Sequence, residues 1–170
     1  SKLSAEHLCY LYWKNYGVPT ISLRYFTVYG PRQRPDMAFH HFFHLLLEDC
    51  PIPIYGDGEQ TRDFTFIDDI VEANVLASQA TVVGGVLNIG GGSTVTLNEA
   101  IGVCEAVSGK RAKLDIQPKA KGDVRQTLAD VTQARQHLGY QPRVALREGL
   151  AAEWQWVRHL YQSAKNRQGE

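Results

Sequence analysis

"TISLRYFTVYG", residues 20 to 30, is a β-branched and aromatic run of strand length that closes on Tyr29-Gly30-Pro31, the composition of a sheet strand followed by a turn. On its amino-terminal side, Leu3, Leu8, Leu11 and Tyr12 mark one face of a helix from Lys2 to Asn15, stopped by Asn15-Tyr16-Gly17 and Pro19. On its carboxyl side, "GPRQRPD" is a loop carrying Arg32 and Arg34, and an apolar helix follows from Met37 to Glu48. Helix, strand, loop, helix predicts an α/β or α+β fold.

The next stretch, "IPIYGDGEQTRDFTFI" at 52 to 67, sets two strand-like segments, Ile52 to Tyr55 and Phe64 to Ile67, around a glycine turn and predicts a hairpin. Arg62 and Asp63 stand at its mouth. As neighbours they read either as a local ion pair, worth little when exposed, or as a ligand-facing arginine. Asp68-Asp69 can cap a helix running to Ala80, with acidic charge at its positive end. "VLNIGGGSTVTLNEAIGVCEAVSG" at 86 to 109 gives a short apolar strand, a glycine loop, a strand remnant and a helix that Thr96 and Glu99 open as a capping box. A strand "AKLDIQ" (112–117), a loop "PKAKGDVRQT" (118–127) and helices near 130–138 and 146–165 complete the chain. Only "TISLRYF" and "VLNIG" read as buried parallel strands, so any larger sheet would lie before residue 1. The first helix starts with the chain and is expected to be cut from a longer one.

Composition narrows the function. The chain has 170 residues, 44% of them apolar, and 18 basic residues balance 18 acidic ones, so net charge implies no nucleic-acid surface. No apolar run approaches the about 20 residues that span a bilayer, and the amino terminus lacks a signal-peptide layout, so no membrane is expected and cytoplasm is the default location. Three scattered cysteines read as free thiols. His40 and His44 fall one helical turn apart, but no acidic residue stands where a metalloprotease needs one, so no metal is expected. "GGG" at 90–92 lacks the Lys-Ser/Thr of a P-loop and does not open a helix directly; it reads as a tight turn rather than a phosphate cradle. Arg32, Arg34, Arg62 and the basic loop from Lys119 to Arg125 are loop cations of the kind that bind diphosphate, or else independent surface charges.

Taken in order, Ser1-Lys2-Leu3, "LRYFTVYGPRQRPDMA", "YGDGEQTRDFTFIDDIVEA", "NIGGG", "GDVRQTLADVTQARQHLGYQP" and "LREGL" resemble the C-terminal half of an extended short-chain dehydrogenase/reductase. The branch is that of NAD-dependent nucleotide-sugar epimerases and dehydratases, and "GPRQRPDMA" is most similar to UDP-glucuronate and UDP-glucose 4-epimerases. The resemblance implies an α/β fold made of the last strands of a Rossmann-type sheet plus a small mixed α/β substrate-binding lobe. Residues 1–36 would be the remnant of the NAD-binding domain, residues 37–170 mainly the substrate lobe, and 68–90 would return to the Rossmann sheet.

The site residues implied by the resemblance fall into two groups. Lys2 matches the lysine of a Tyr-x-x-x-Lys pair that bonds the nicotinamide ribose and lowers the tyrosine pKa by its charge; Tyr25 and Phe26 lie toward the nicotinamide. On the substrate side, Arg62 matches the diphosphate arginine, Phe64 the packing aromatic, and Pro53 and Tyr55 the strand that holds the uracil. Thr27 and Arg34 approach the sugar diphosphate, and Met37 and Ala38 open the helix whose amino end meets the nucleotide. Asp123 matches the acid that bonds the ribose, with Val95 and Thr127 beside it. Many relatives carry an arginine before that aspartate; here Lys119-Ala120-Lys121 stand there, and lysine lacks the bidentate geometry.

The expected activity is the substrate-binding portion of a UDP-sugar 4-epimerase, working by transient oxidation at sugar C4, commonly as a homodimer. NAD belongs to the complete enzyme and is not expected to bind this chain alone, which lacks the glycine fingerprint and the tyrosine and is therefore expected to be inactive. A decarboxylase or 4,6-dehydratase of the same branch, or a non-catalytic nucleotide-sugar-binding fragment, are the alternatives. An incomplete sheet also predicts self-association through its unpaired edge.

Overall fold

The computed structural model describes residues 1–119 and 122–168. The order of elements is α1 (Lys2–Tyr16), β1 (Ile21–Tyr25), β2 (Thr27–Tyr29), α2 (Ala38–Glu48), β3 (Ile52–Tyr55), β4 (Thr61–Arg62), β5 (Phe64–Phe66) and α3 (Ile67–Gln79), followed by β6 (Gly85–Ile89), β7 (Val95–Thr96), α4 (Leu97–Ser108), β8 (Leu114–Gln117), α5 (Thr132–Leu138) and α6 (Leu146–Gln168).

The strands pair in twos. β1 and β6 are parallel, Ile21 opposite Gly85 through Tyr25 opposite Ile89, as the two buried-strand runs predict. The run from 20 to 28 is nevertheless two strands. At Phe26 it changes sheets: the Phe26 amide donates to the Ile89 carbonyl, and β2 then pairs parallel with β5. The expected hairpin is a correction of a larger kind. β3 pairs with β8, β5 with β2 and β4 antiparallel with β7, so 52–55 and 64–67 never meet as partners. The glycine turn at 56–58 redirects the chain between sheets: Gly56 and Gly58 both have positive φ, and a Cβ on Gly58 would lie 2.1 Å from Asn98 Oδ1. The turn forms where local composition predicts it, and distant strands choose the partners.

Two cores support these pairs. The first is aromatic. α2 buries Phe39, Phe42, Phe43 and Leu46, the i, i+3, i+4, i+7 face of a helix, against Ile52, Ile54, Ile101, Cys104, Leu150, Trp154 and Val157. Tyr29 sits among Phe39 and Phe66 with edge-on rings 5.5 Å apart, contacts that add to the about 2 kcal/mol of burying each such side chain. The second core holds Ile70, Ala73, Leu87, Ile89, Ala134, Leu138 and Tyr140 between α3, β6 and α5. α1 differs from every other long helix in burying no residue; it ends on Gly17 in the left-handed region at φ 69°.

Helix starts follow the sequence in one case and not in another. Thr96 and Glu99 form the capping box reciprocally, Glu99 N to Thr96 Oγ1 at 3.1 Å and Thr96 N to Glu99 Oε2 at 2.9 Å. Asp68 and Asp69 do not cap α3. The cap position is Phe66, and both acids lie in the first turn, where they favour the helix dipole. Asp69 is buried and accepts from the amides of Arg143 (3.0 Å) and Val144 (3.3 Å), tying α3 to the approach to α6.

Candidate functional site

The alternation of side chains along an extended strand separates Arg62 from Asp63. Asp63 turns inward and is fully buried: its Oδ1 accepts from the Gly91 amide at 2.6 Å and its Oδ2 from the Ala129 amide at 3.1 Å. This joins three segments distant in sequence. A local ion pair with Arg62, or a turn-stabilising role, is therefore the wrong reading of Asp63. The same contacts explain the triple glycine. A Cβ on Gly90 would lie 2.3 Å from the Ala129 side chain, and one on Gly91 2.3 Å from the Phe64 carbonyl oxygen. The glycines bring backbones into contact, and Tyr140 Oη donates to the Gly90 carbonyl at 3.0 Å.

With Asp63 fixed inside, Arg62 faces the opposite way, into a cleft of about 580 Å³. Its guanidinium forms an ion pair with Asp123 and donates to the Thr61 carbonyl at 2.8 Å. Both charged side chains are mostly covered, with 22% of Arg62 and 28% of Asp123 exposed, so their pairing is less screened than a surface pair. Thr27 from β2, Ala38 at the start of α2, Pro53 and Tyr55 from β3, and Phe64 from β5 line the same cleft. Tyr55 is half exposed, and Phe64 packs at 4.6 Å from the Phe39 ring, which holds it in place.

Other expected site residues lie outside it. Val95 is opposite Arg62 in the β4–β7 ladder and packs into the first core. Thr127 zips to β4: its amide donates to Thr61, and its hydroxyl accepts from the Asp63 amide at 3.4 Å. Arg34 pairs with Asp36 at 3.0 Å and, with Met37 and Arg32, borders a neighbouring groove of about 420 Å³. Lys2 is exposed at the start of α1, Tyr25 donates to Asn74 Oδ1 at 2.8 Å, and Phe26 packs on the second core; none of the three borders the cleft. Of the substituted stretch after β8, Lys119 lines a small cleft with Arg125, while Ala120 and Lys121 lie outside the described residues. Arg125 is engaged by Asp57 at 2.7 and 3.0 Å; that hydrogen bond holds the Asp57 carboxyl below its ordinary range.

The cleft also contains residues the sequence did not single out: Asp36, His41, Phe42, Gln60, Leu97 and Gly122. Gln60 had a signal, since it stands two residues before Arg62 and extended backbone puts such residues on one face. The others come from helices and loops that only the tertiary fold brings there. Cys9, Cys50 and Cys104 are free. No group of three or more potential metal ligands, and no helix long and apolar enough to cross a membrane, occurs among the described residues.

The triple glycine does not form a dinucleotide cradle. The triple glycine leads from β6 to β7 instead of opening a helix, and Gly90 and Gly91 are in contact with Ala129, Asp63 and Phe64, so their backbone has no room for a pyrophosphate.

Residues 1–90 match the NAD dependent epimerase/dehydratase family, and the chain belongs to that family. It is 40% identical over 95% of its length to a Bacillus subtilis protein named as an uncharacterized UDP-glucose epimerase, covering 52% of that protein. It is 38% identical over 98% of its length to a UDP-glucuronate 4-epimerase of Thermodesulfobacterium geofontis, covering 51% of it. The crystal structure of a UDP-glucuronic acid 4-epimerase from Bacillus cereus in complex with UDP-glucuronic acid and NAD is similar at a TM-score of 0.88 and 47% identity, over 94% of this chain and 51% of that one. The chain thus spans about half the length of the relatives it matches. Its fold is that half of the epimerase α/β architecture.

Proposed function

We propose that this member of the NAD dependent epimerase/dehydratase family is the substrate-binding portion of a UDP-sugar 4-epimerase. The cleft beside β3 and β4 takes the nucleoside diphosphate. Arg62 carries the reading: it is a mostly covered guanidinium on a cleft wall, and its present partner is a carboxylate. A diphosphate offers the same paired oxygens with more charge, which is the ligand such a group binds best. Pro53, Tyr55 and Phe64 give apolar faces for base and ribose, and polar Thr27 and Gln60 stand near Arg62 for the phosphates and sugar. Asp123, once released by Arg62, is the acceptor for a ribose hydroxyl.

The remaining parts of the reaction belong to the length that this chain does not span. NAD, bound there, would accept and return the hydride at sugar C4; the chain's own share is Lys2, Tyr25 and Phe26 on the nicotinamide side, and no chemical step is assigned to its cleft. α1, which buries nothing within the chain, is the face for a second copy.

Titration calorimetry of UDP-glucuronate into the 170-residue chain tests the binding role. Measurable heat of binding is expected, with Arg62→Ala weakening affinity about tenfold or more, the scale of one charge-assisted hydrogen-bonded contact. Equal affinity in the folded variant would remove Arg62 from the site, and absence of binding to the parent chain would end the proposal.

A further inference from the structure

The stripe that packs α6 into the aromatic core consists of Leu150, Glu153, Trp154 and Val157, all buried. A carboxyl group therefore occupies a core position, where an ionised carboxylate without a cation is strongly disfavoured. Among the described residues Glu153 has no ion-pair partner, and its Oε1 is buried without a hydrogen bond. Its Oε2 has one: it accepts from the Gly30 amide at 2.8 Å, across 123 residues of sequence.

Gly30 is built for that approach. Its φ is 130°, and a Cβ there would lie 2.8 Å from Ile67 Cγ2 and 2.9 Å from Phe66 Cε2, so only glycine lets the backbone press against the β5–α3 junction. From Gly30 the chain runs through Arg32 and Arg34 to Met37 and the amino end of α2. The far end of this loop is locked by Gln33, whose Nε2 donates to the Val28 carbonyl at 2.9 Å and whose Oε1 accepts from the His40 amide at 3.1 Å. The near end is held by Glu153. Asp36 of the loop, with Ala38 and His41 of α2, forms one wall of the cleft.

We propose that Glu153 is a positioning residue: its buried carboxyl fixes the Gly30 amide and so sets the loop from Gly30 to Met37, and with it the amino end of α2, against the cleft. The functional part of this inference rests on the cleft being a nucleotide-sugar site; the structural part does not.

The surroundings give Glu153 a pH dependence. β2 brings the Tyr29 phenol, which also feels Asp69 and Glu148, and α4 the Cys104 thiol, which also feels Glu105. β5 brings Phe64, Thr65 and Phe66, none of them titratable. Burial raises both the phenol and the thiol. Burial also pushes the Glu153 carboxyl up to about 8 from an ordinary 4.5, opposed only by the Gly30 hydrogen bond. Because the folded value lies above the unfolded one, the stabilisation from the neutral carboxyl is complete below 4.5 and is lost as pH rises through about 8. Above that the carboxylate remains an acceptor for the Gly30 amide, since that hydrogen bond is the contact that favours its ionised form, and the cost of its burial falls on the fold as a whole.

The test has two arms on the 170-residue chain. In the first, amide hydrogen exchange is read at Gly30 relative to Ile52, a buried amide bonded to the Lys113 carbonyl. The wild-type chain is expected to protect Gly30 as it protects Ile52. Glu153→Gln, which keeps an acceptor, is expected to retain that protection, and Glu153→Leu, which has none, to lose it. In the second arm, UDP-glucose affinity follows the same pattern, Glu153→Leu binding about tenfold more weakly, as loss of a buried anchor implies, and Glu153→Gln retaining wild-type affinity. Equal Gly30 protection in the Leu and wild-type chains would overturn the proposal, as would a Gln variant that loses protection as the Leu variant does. If no chain binds UDP-glucose, the nucleotide-sugar reading fails while the exchange arm still decides the positioning role. Should Glu153→Leu fail to fold, Glu153→Met, which lacks an acceptor but keeps the volume, takes its place in both arms.

Discussion

The aromatic core and the face of α1 are the two extremes of burial in this chain. The aromatic one, around α2, α4 and α6, encloses its largest side chains completely: Tyr29, Phe39, Phe43, Ile52, Ile54 and Leu150 are at most 2% exposed. The other, where α1 lies along the Ser22 and Arg24 face of β1, turns Leu3, Leu8, Leu11, Tyr12 and Tyr16 outward. Apolar surface of that extent is more than the scattered exposure ordinary on a monomer. Composition alone does not distinguish the two regions, since both are rich in leucine and aromatics. What differs is whether this chain supplies the partner surface, and that decides how each region responds to substitution.

The sharpest way to break the comparison is to truncate a leucine on each side. Leu150→Ala, in the aromatic core, is expected to cost about 4 kcal/mol in urea unfolding, the transfer loss plus a cavity. A cost below about 1 kcal/mol would mean that the core collapses around the gap, and the contrast drawn here would fail. Next comes the seam between the cores. Asp63→Ala leaves the Gly91 and Ala129 amides without their acceptor in the interior, and about 3 kcal/mol of stability should go with them; Asp63→Asn should recover part of it. Thr96→Ala removes one half of the capping box of α4, and a loss of about 1 kcal/mol is expected, with UDP-sugar affinity unchanged because Thr96 does not border the cleft. At the small end, Leu11→Ala on α1 should change the stability of the chain at high dilution, where no second copy covers that face, by no more than about 0.5 kcal/mol. A large effect there would show that α1 is covered in solution.

These expectations depend on which features were legible in the sequence. The parallel pairing of β1 with β6 was, although the expected burial was not: no residue of β1 is buried, because Ser22 and Arg24 face α1 and Tyr25 is half exposed. So were the capping box and the stop of α1, which are set by residues a few positions apart. The partners of β3 and β5 were not. The segments from 52 to 67 have the local composition of a hairpin, and their true partners, β8 and β2, lie far along the chain, where no local signal points. Within the cleft, Arg62 and its aromatic companions were found through family resemblance, whereas His41 and Leu97 reach it only because α2 and α4 pack as they do. Asp63 was misjudged for a related reason: burial is a property of the tertiary fold, and an aspartate beside an arginine in sequence looks like its partner until the strand turns the two apart. Glu153 left a trace that went unused, a charge in the apolar stripe Leu150, Trp154, Val157.

The break at Phe26 has a mechanical consequence. One uninterrupted extended segment belongs to two sheets, its first half bonded to β6 and its second to β5, with the Phe26 amide pinned to Ile89 at the crossing. No loop intervenes to absorb a rotation. Tyr25, tied to Asn74 of α3, and Thr27, on the cleft wall, are the two arms of a short stiff lever whose fulcrum is a single residue. Any tilt of the β1–β6 pair would therefore reach Thr27 along covalent backbone, through Phe26 alone.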